Sequence, residues 1–305
     1  MKKFALRLLL FAAVFLIYDK LFIMVARRSA EAEVDKRLEY LVKGEVNKDI
    51  IIAGSSTGSR DIIASKIEEE TGHSTYNLCF PGSGVEFHEF IVNTLLEFND
   101  APKLLLLMVD DDVELVHHAP LIFRKDRLYP LVQYPAVWKE LARQENTAPY
   151  LSSFIVLQRL SKYNFDLRTK SFTPMDTIVE CGSMPVSWKP EGRNLEYNAN
   201  ERIYSTEKEI PEKVAAFEGI IETCRANNIR LVLVFPPIFF THSESFEKRI
   251  RQLAGDGVDY YVYNRENNVY RDEDYFNDET HLMRDGAMVF TDEIISYLNS
   301  EISLP

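Results

Sequence analysis

The strongest constraint in this sequence is a set of apolar runs that do not alternate with polar residues. Leu104-Leu105-Leu106-Leu107-Met108 is the clearest, and Ile50-Ile51-Ile52-Ala53 is the next. A strand with one wet face alternates, whereas a run that is apolar at every position is buried on both faces. Segments 49–54, 74–78, 103–109, 229–235 and 258–263 read as strand-like runs. Segments with helical periodicity lie between most of them, at 59–71, 85–98, 207–227 and 243–254, with a last one at about 284–299. Buried strands alternating with helices predict a parallel sheet with right-handed crossovers, a doubly wound, flavodoxin-like α/β fold. At 305 residues and 46% hydrophobic content, the chain is long enough for one core with insertions.

One stretch breaks the rhythm. Between Val113 and Tyr204 the chain carries Pro, Tyr and Trp without clean alternation. That length far exceeds an ordinary connection, so residues 113–206 read as a large insertion after strand three. Parts of it, 137–144 and 152–161, have helical character. By its position it would stand over the carboxyl ends of the strands, where ligands bind in such sheets. Within it, 184–192 reads as a packed loop or as the lining of a substrate groove.

The N-terminus is different in kind. Lys2, Lys3 and Arg7 precede an apolar run from Leu8 to Tyr18; Asp19-Lys20 interrupts it, Leu21–Ala26 resumes it, and Arg27-Arg28 ends it. As a helix, residues 4–26 would span roughly 34 Å at about 1.5 Å per residue, enough for a bilayer core. Residues 1–28 therefore read as an uncleaved membrane anchor or a signal segment, the latter with a weak small-residue site near Ser29–Ala32. Residues 29–48 read as a charged stalk. The leading positive charges place the N-terminus inside and residues 49–305 outside the cytoplasm, on the periplasmic or extracellular face.

The net charge of −12 and the pI near 5.1 argue against nucleic acid as a partner. Cys79, Cys181 and Cys224 are widely spaced and show no metal-type pairing, so neither a disulfide framework nor a metal or other cofactor is expected.

Chemistry concentrates at the strand ends. Gly54-Ser55-Ser56 stands on the turn from the first strand to a helix. A serine there is held at the carboxyl edge, with its N–H at a helix start that favours an oxyanion. Ser55 or Ser56 would equally serve as a helix cap. Near the other end, Asp278-Glu279-Thr280-His281 places a histidine on a loop after the last strand, just before the last helix. Asp278 is spaced to orient that ring through Nδ1–H, which makes His281 the first choice of general base among the six histidines. Between them, Pro81-Gly82-Ser83-Gly84 follows the strand that contains Asn77 and turns into a helix, where a glycine N–H can approach a substrate oxygen.

These blocks together resemble the SGNH (GDSL-like) hydrolases. Ser56 takes the place of that family's nucleophile, with Ser55 where the family has aspartate. Gly82 matches the second block, and Asp278-x-x-His281 matches the last. The third block, Gly-x-Asn-Asp, is replaced by Met108-Val109-Asp110-Asp111-Asp112. The resemblance covers roughly residues 49–112 and 229–300. It implies a Ser56–His281–Asp278 triad, an oxyanion hole of the Ser56 and Gly82 amides, and a site lined by Ser55, Asp110, Asp111 and Asp112. The anchor and the Gly-Ser-Ser form narrow the likeness to the anchored subgroup that includes the D-alanyl transfer and alginate acetylation proteins. That implies a serine esterase or O-acyltransferase acting on acyl groups of a cell-envelope polysaccharide or other acylated polymer, with a membrane-bound O-acyltransferase as partner. Two other readings remain open. The chain would be a non-catalytic scaffold or polymer-binding subunit of such a complex. Alternatively, Asp110-x-Asp112 would begin a Mg²⁺-dependent phosphatase or a metal site of a glycosyltransferase.

Overall fold

A computed structural model of the chain describes residues 1–118, 122–145, 147–162, 171–175, 177–189, 191–200 and 202–302. Parts of the predicted 113–206 insertion, and Pro190 within 184–192, lie outside them. The chain divides into two compact units, residues 1–42 with 124–171 and residues 43–123 with 172–305.

In the first unit, α1 (Lys2–Ala32) is a single helix of 31 residues. It is long and apolar enough to cross a membrane, as a signal sequence near an N-terminus also is. It is followed by α2 (Arg37–Val42). The unit also contains α6 (Lys125–Leu128), α7 (Pro135–Gln144) and α8 (Pro149–Phe154), with a 3₁₀ turn at Val156–Arg159. The helical segment expected at 152–161 is thus two short pieces.

The second unit is built on a five-stranded, all-parallel sheet. Its strands are β1 (Ile50–Ala53), β2 (Thr75–Asn77), β3 (Leu104–Met108), β4 (Arg230–Phe235) and β5 (Asp259–Val262). The spatial order is β2-β1-β3-β4-β5. Every residue of β1 and β3 is buried, as their unbroken apolar character requires. The helices are α3 (Ser56–Asp61), α4 (Ala64–Thr71), α5 (Val85–Phe98), α9 (Pro211–Ala226), α10 (Glu244–Ala254) and α11 (Arg284–Glu301). Ile50, Ile52, Leu104, Leu106, Val232 and Val234 form one core with Ile62, Ile67, Phe290 and Ile294. Each such buried aliphatic contributes about 1.5–3 kcal/mol. Helix α5 packs against α9 and β1.

Three local expectations are corrected. The helix read at 59–71 is broken, because Ile62 is extended (φ −120°, ψ 128°). The amides of Ile63 and Ala64 turn instead to the hydroxyls of Thr291 (3.0 Å) and Ser183 (2.9 Å). The helix read from 207 begins at Pro211, whose missing N–H suits a first turn. His281 is not on a loop. It lies on β7 (His281–Leu282), which pairs antiparallel with β6 (Phe276–Asp278) in a short ribbon outside the main sheet.

Candidate active site

Strand β1 ends at Ala53, and the chain turns through Gly54 and Ser55 into α3. Ser55 takes the N-cap position but makes no capping bond. Its hydroxyl instead donates to Asp110, and the Thr57 hydroxyl donates to the other oxygen of the same carboxylate. The residues on either side of Ser56 are therefore both tied to the end of β3. Gly58 lets this turn lie close to the sheet: a Cβ there would stand 2.4 Å from Cys79 Sγ. Asn77, at the end of β2, donates to the Gly58 carbonyl (2.7 Å) and accepts from the Cys79 amide (3.0 Å). Asn77 is thus a brace for the serine turn.

Pairing within the β6–β7 ribbon sets Asp278 opposite His281. Asp278 Oδ1 lies 2.6 Å from His281 Nδ1 and also accepts the Thr280 N–H and hydroxyl, both at 3.0 Å. Burial alone would raise the Asp278 pKa. The hydrogen bond and charge of His281, with the Thr280 donors, outweigh burial and hold the carboxylate below its usual range. With Nδ1 engaged in this way, His281 Nε2 lies 2.7 Å from Ser56 Oγ. Ser56, His281 and Asp278 therefore form one continuous hydrogen-bonded chain, although 225 positions separate the serine from the histidine.

Other contacts hold this chain in place. Buried Asp61, at the end of α3, accepts the Leu282 N–H at 2.9 Å. The Phe239 amide donates to the Glu279 carbonyl (2.7 Å), tying the loop after β4 to the ribbon. In the stretch from Met184 to Lys189, Met184 and Val186 are buried, Ser187 and Trp188 are exposed, and none of these residues lines the cavity at Ser56. Its Val186 is fully buried and bridges to Met283, while the Trp188 carbonyl accepts from Asn277 (2.8 Å).

A cavity of about 350 Å³ opens on this chain. Ser56, His281 and Thr280 line one side, and Gly82, Ser83 and Gly84 another. Asp110, Asp111, Glu114 and Lys213 add ionisable groups, while Val113, Ile122 and Ile238 add apolar wall. Through Ile238, the loop after β4 contributes to one wall. Gly82 has φ 70°, a left-handed conformation that a side chain would disfavour. Among the described residues, neither the Ser56 nor the Gly82 amide has a hydrogen-bond partner, so both are available as donors. Ser83 Oγ lies 2.9 Å from His88 Nε2, which fixes the Gly82 loop from below. Burial, reinforced by the nearby Lys213 charge, pushes His88 down to about 3 and keeps it neutral.

The aspartate run is divided among different tasks. Asp110 is buried against the two hydroxyls, and Asp111 lines the cavity. Asp112 turns away to an ion pair with Arg202, whose guanidinium lies 4.1 Å over the Phe240 ring. Ser55 and Asp112 are therefore not among the cavity-lining residues. Burial raises the Asp110 carboxyl and Asp111 adds to the rise, against the two hydroxyl donors and His281.

Several site residues lack a sequence signal. Thr57 has one in hindsight, a third hydroxyl on the turn. Glu114 and Lys213 have none. Lys213 is 2% exposed, donates to the Glu114 carbonyl (2.9 Å) and pairs with Glu86 (3.4 Å). Burial, then the Asp110 charge, pushes the Glu114 carboxyl up to about 8, against the pull of Lys213.

No disulfide joins Cys79, Cys181 or Cys224. Among the described residues, no group of three or more His, Cys, Asp or Glu is arranged to hold a metal ion. An oriented imidazole on a serine hydroxyl, beside two unengaged amides, is equipped for nucleophilic attack on a carbonyl. No protein-family model matches the sequence, and no curated protein matches it.

Proposed function

We propose that this chain is a membrane-anchored serine esterase or O-acyltransferase of SGNH type, acting on acyl groups of a cell-envelope polymer outside the cytoplasm. The observation that carries this reading is the Ser56–His281–Asp278 chain, at 2.7 Å and 2.6 Å, facing a cavity. The strand order supports a doubly wound, flavodoxin-like sheet, with the long segment between β3 and α9 as its insertion. The burial of Phe22, Ala26, Ser29 and Ala30 supports an anchor that is kept. Cleavage near Ser29–Ala32 would cut inside a packed helix.

In this reading Ser56 Oγ attacks the acyl carbonyl carbon as His281 Nε2 takes the hydroxyl proton. Asp278 stabilises the resulting imidazolium. The carbonyl oxygen becomes an oxyanion held by the Ser56 and Gly82 N–H groups. On collapse, the C–O bond to the leaving alcohol breaks, and His281 returns its proton to that oxygen. Water, or a hydroxyl of the acceptor polymer, then attacks the acyl-serine carbonyl with His281 again as base; the acyl C–Oγ bond breaks, and His281 returns the proton to Ser56 Oγ. Two amide donors, without the asparagine of the family's third block, favour a slow enzyme, since one donor is worth about 10²–10³ in rate. Acyl supply from a membrane-bound O-acyltransferase fits an enzyme anchored in the same membrane. The phosphatase reading is disfavoured, because both oxygens of Asp110 are engaged by hydroxyls.

The test is fluorophosphonate labelling of the full chain in detergent, with the labelled residue mapped by mass spectrometry. Labelling at Ser56 that is lost in His281→Ala is the expected result. Absence of label in folded protein overturns the esterase reading and favours the scaffold.

A further inference from the structure

Along α1, contact with the rest of its unit begins at one point. Residues 1–18 are exposed, except for half-buried Phe15. From Asp19 onward the helix is packed, with Asp19, Phe22, Ala26, Ser29 and Ala30 buried. The bare stretch from Lys2 to Tyr18 is roughly 26 Å long at about 1.5 Å per residue. That is close to the hydrocarbon thickness of a bilayer, about 30 Å. For a membrane-anchored chain, that length sets the far boundary at Asp19–Lys20.

The segment that begins the packing is Pro149–Arg159. The Asp19 carboxylate accepts the Leu157 N–H (2.8 Å) and pairs with Lys20 (2.9 Å). The Lys20 ammonium reaches the Phe154 carbonyl (2.8 Å). These bonds hold the segment at the depth of Asp19. Its outward side chains suit that depth. Tyr150 and Phe154 lie four apart on α8, hence on one face, and are 67% and 74% exposed. Leu160 is 48% exposed. Arg27 and Arg28, both exposed, lie roughly 12 Å further along α1, at headgroup depth. Aromatic side chains at the boundary with basic residues just beyond it are the usual composition of a membrane interface. In water, the same patch would be a costly exposure.

We infer that Pro149–Leu160 forms an interfacial collar around the anchor, with Tyr150, Phe154 and Leu160 inserted into the bilayer at the far headgroup boundary. The inference rests on the membrane-anchor part of the proposed function. The collar fixes the depth of the anchor. It also gives Asp19, a carboxylate within an apolar helix, its partners at the boundary.

The experiment uses the full chain in nanodiscs of phosphatidylethanolamine and phosphatidylglycerol. A nitroxide is placed at Phe154→Cys, and separately at Tyr150→Cys, in a Cys181→Ser background. Cys79 and Cys224 are buried and poorly accessible to the label. Power saturation then compares collisions with oxygen, which concentrates in lipid, and with a water-soluble nickel chelate. Labels at Leu10→Cys and Glu69→Cys provide the hydrocarbon and water references. Expected is an oxygen-to-nickel ratio at both collar positions several-fold above Glu69 and approaching Leu10. A ratio like that of Glu69 places the patch in water and overturns the collar while leaving the anchor intact. Low collision with both reagents means a protein surface covers the patch, which also overturns it. A water-like Leu10 label overturns the anchor, and the collar with it.

Discussion

Asp61 and Leu282 join the two halves of the candidate site. Asp61 ends the helix that Ser56 begins, and Leu282 follows His281 on β7. The 2.9 Å bond from the Leu282 amide to Asp61 Oδ1 therefore sets the spacing between the serine and the imidazole. Among the described residues, the second oxygen, Oδ2, has no partner. Burial, with the charges of Asp278 and Asp110, raises this carboxyl well above its ordinary value.

A raised folded-state value makes Asp61 a pH-dependent liability. The folded state favours the protonated form. Its full stability is present below the unfolded value, about 3.9, and is lost as pH rises from there through the folded value. Asp61→Asn keeps an acceptor for Leu282 and removes the ionisation. Urea titrations at pH 7 should find this variant at least as stable as the parent, with any gain vanishing near pH 4. Asp61→Ala leaves a buried amide unpaired and should cost about 1–3 kcal/mol. A Asp61→Asn variant less stable than the parent at pH 7 would show that the buried group is ionised and paired.

The sheet was legible in the sequence because burial on both faces removes alternation, and Leu104–Met108 has no polar residue to confuse the signal. The Asp278–His281 pair was legible because its spacing is local. What escaped depended on distant contacts. Nothing near Ile62 announces that Thr291 and Ser183 will take the amides that a continuous helix would use. Nothing in a lysine on α9 announces burial beside Glu86 and Glu114. Asp110 was visible as a strand-end carboxylate, but its grip on Ser55 and Thr57 requires β1 and β3 to be neighbours.

Removing members of the hydrogen-bonded chain should act on rate and not on folding. Ser56→Ala should lower turnover of p-nitrophenyl acetate by about 10⁴–10⁶, and the Ser56→Ala, His281→Ala double variant should lose little more. Asp278→Asn should lose about 10⁴, because the amide favours the wrong imidazole tautomer. Asp278 is held low, so its contribution to stability is present above about pH 3.9 and is lost only as pH falls through its lower folded value. Any acid loss of activity above pH 4 in the parent therefore belongs to another group. Steady-state kinetics with circular dichroism as a folding control check these values. Additive losses in the double variant would argue against a concerted chain.

Gly58 tests how tightly the serine turn must lie on the sheet. An alanine Cβ would fall 2.4 Å from Cys79 Sγ and 2.6 Å from Met108 Cγ, neither at the free end of a long side chain. Gly58→Ala should destabilise by about 1–3 kcal/mol through overpacking. Cys79→Ala should restore part of that loss by removing the nearer atom. Denaturant midpoints of the two single variants and the double variant measure the coupling. Independent effects would mean that the turn moves away without involving Cys79.

In the proposed mechanism, Asp110 would act on the oxyanion through its charge. It follows the end of β3, lines the cavity, and belongs to the Met108–Asp112 stretch that replaces the resembled third block. When ionised, it opposes negative charge developing on the carbonyl oxygen, whereas an amide would offer an N–H. Asp110→Asn retains one oxygen for Ser55 or Thr57 and should raise turnover about tenfold, a fraction of the 10²–10³ that an optimised donor supplies. Asp110→Ala leaves both hydroxyls without their acceptor and should cost stability instead, about 1–3 kcal/mol. The opposite result for Asp110→Asn, a slower enzyme with unchanged stability, would assign the carboxylate a different role. Its charge would then act on the protonated His281 ring, which lies near enough to lower the Asp110 pKa. Measured on one ester at several pH values, the sign of the change separates these two roles.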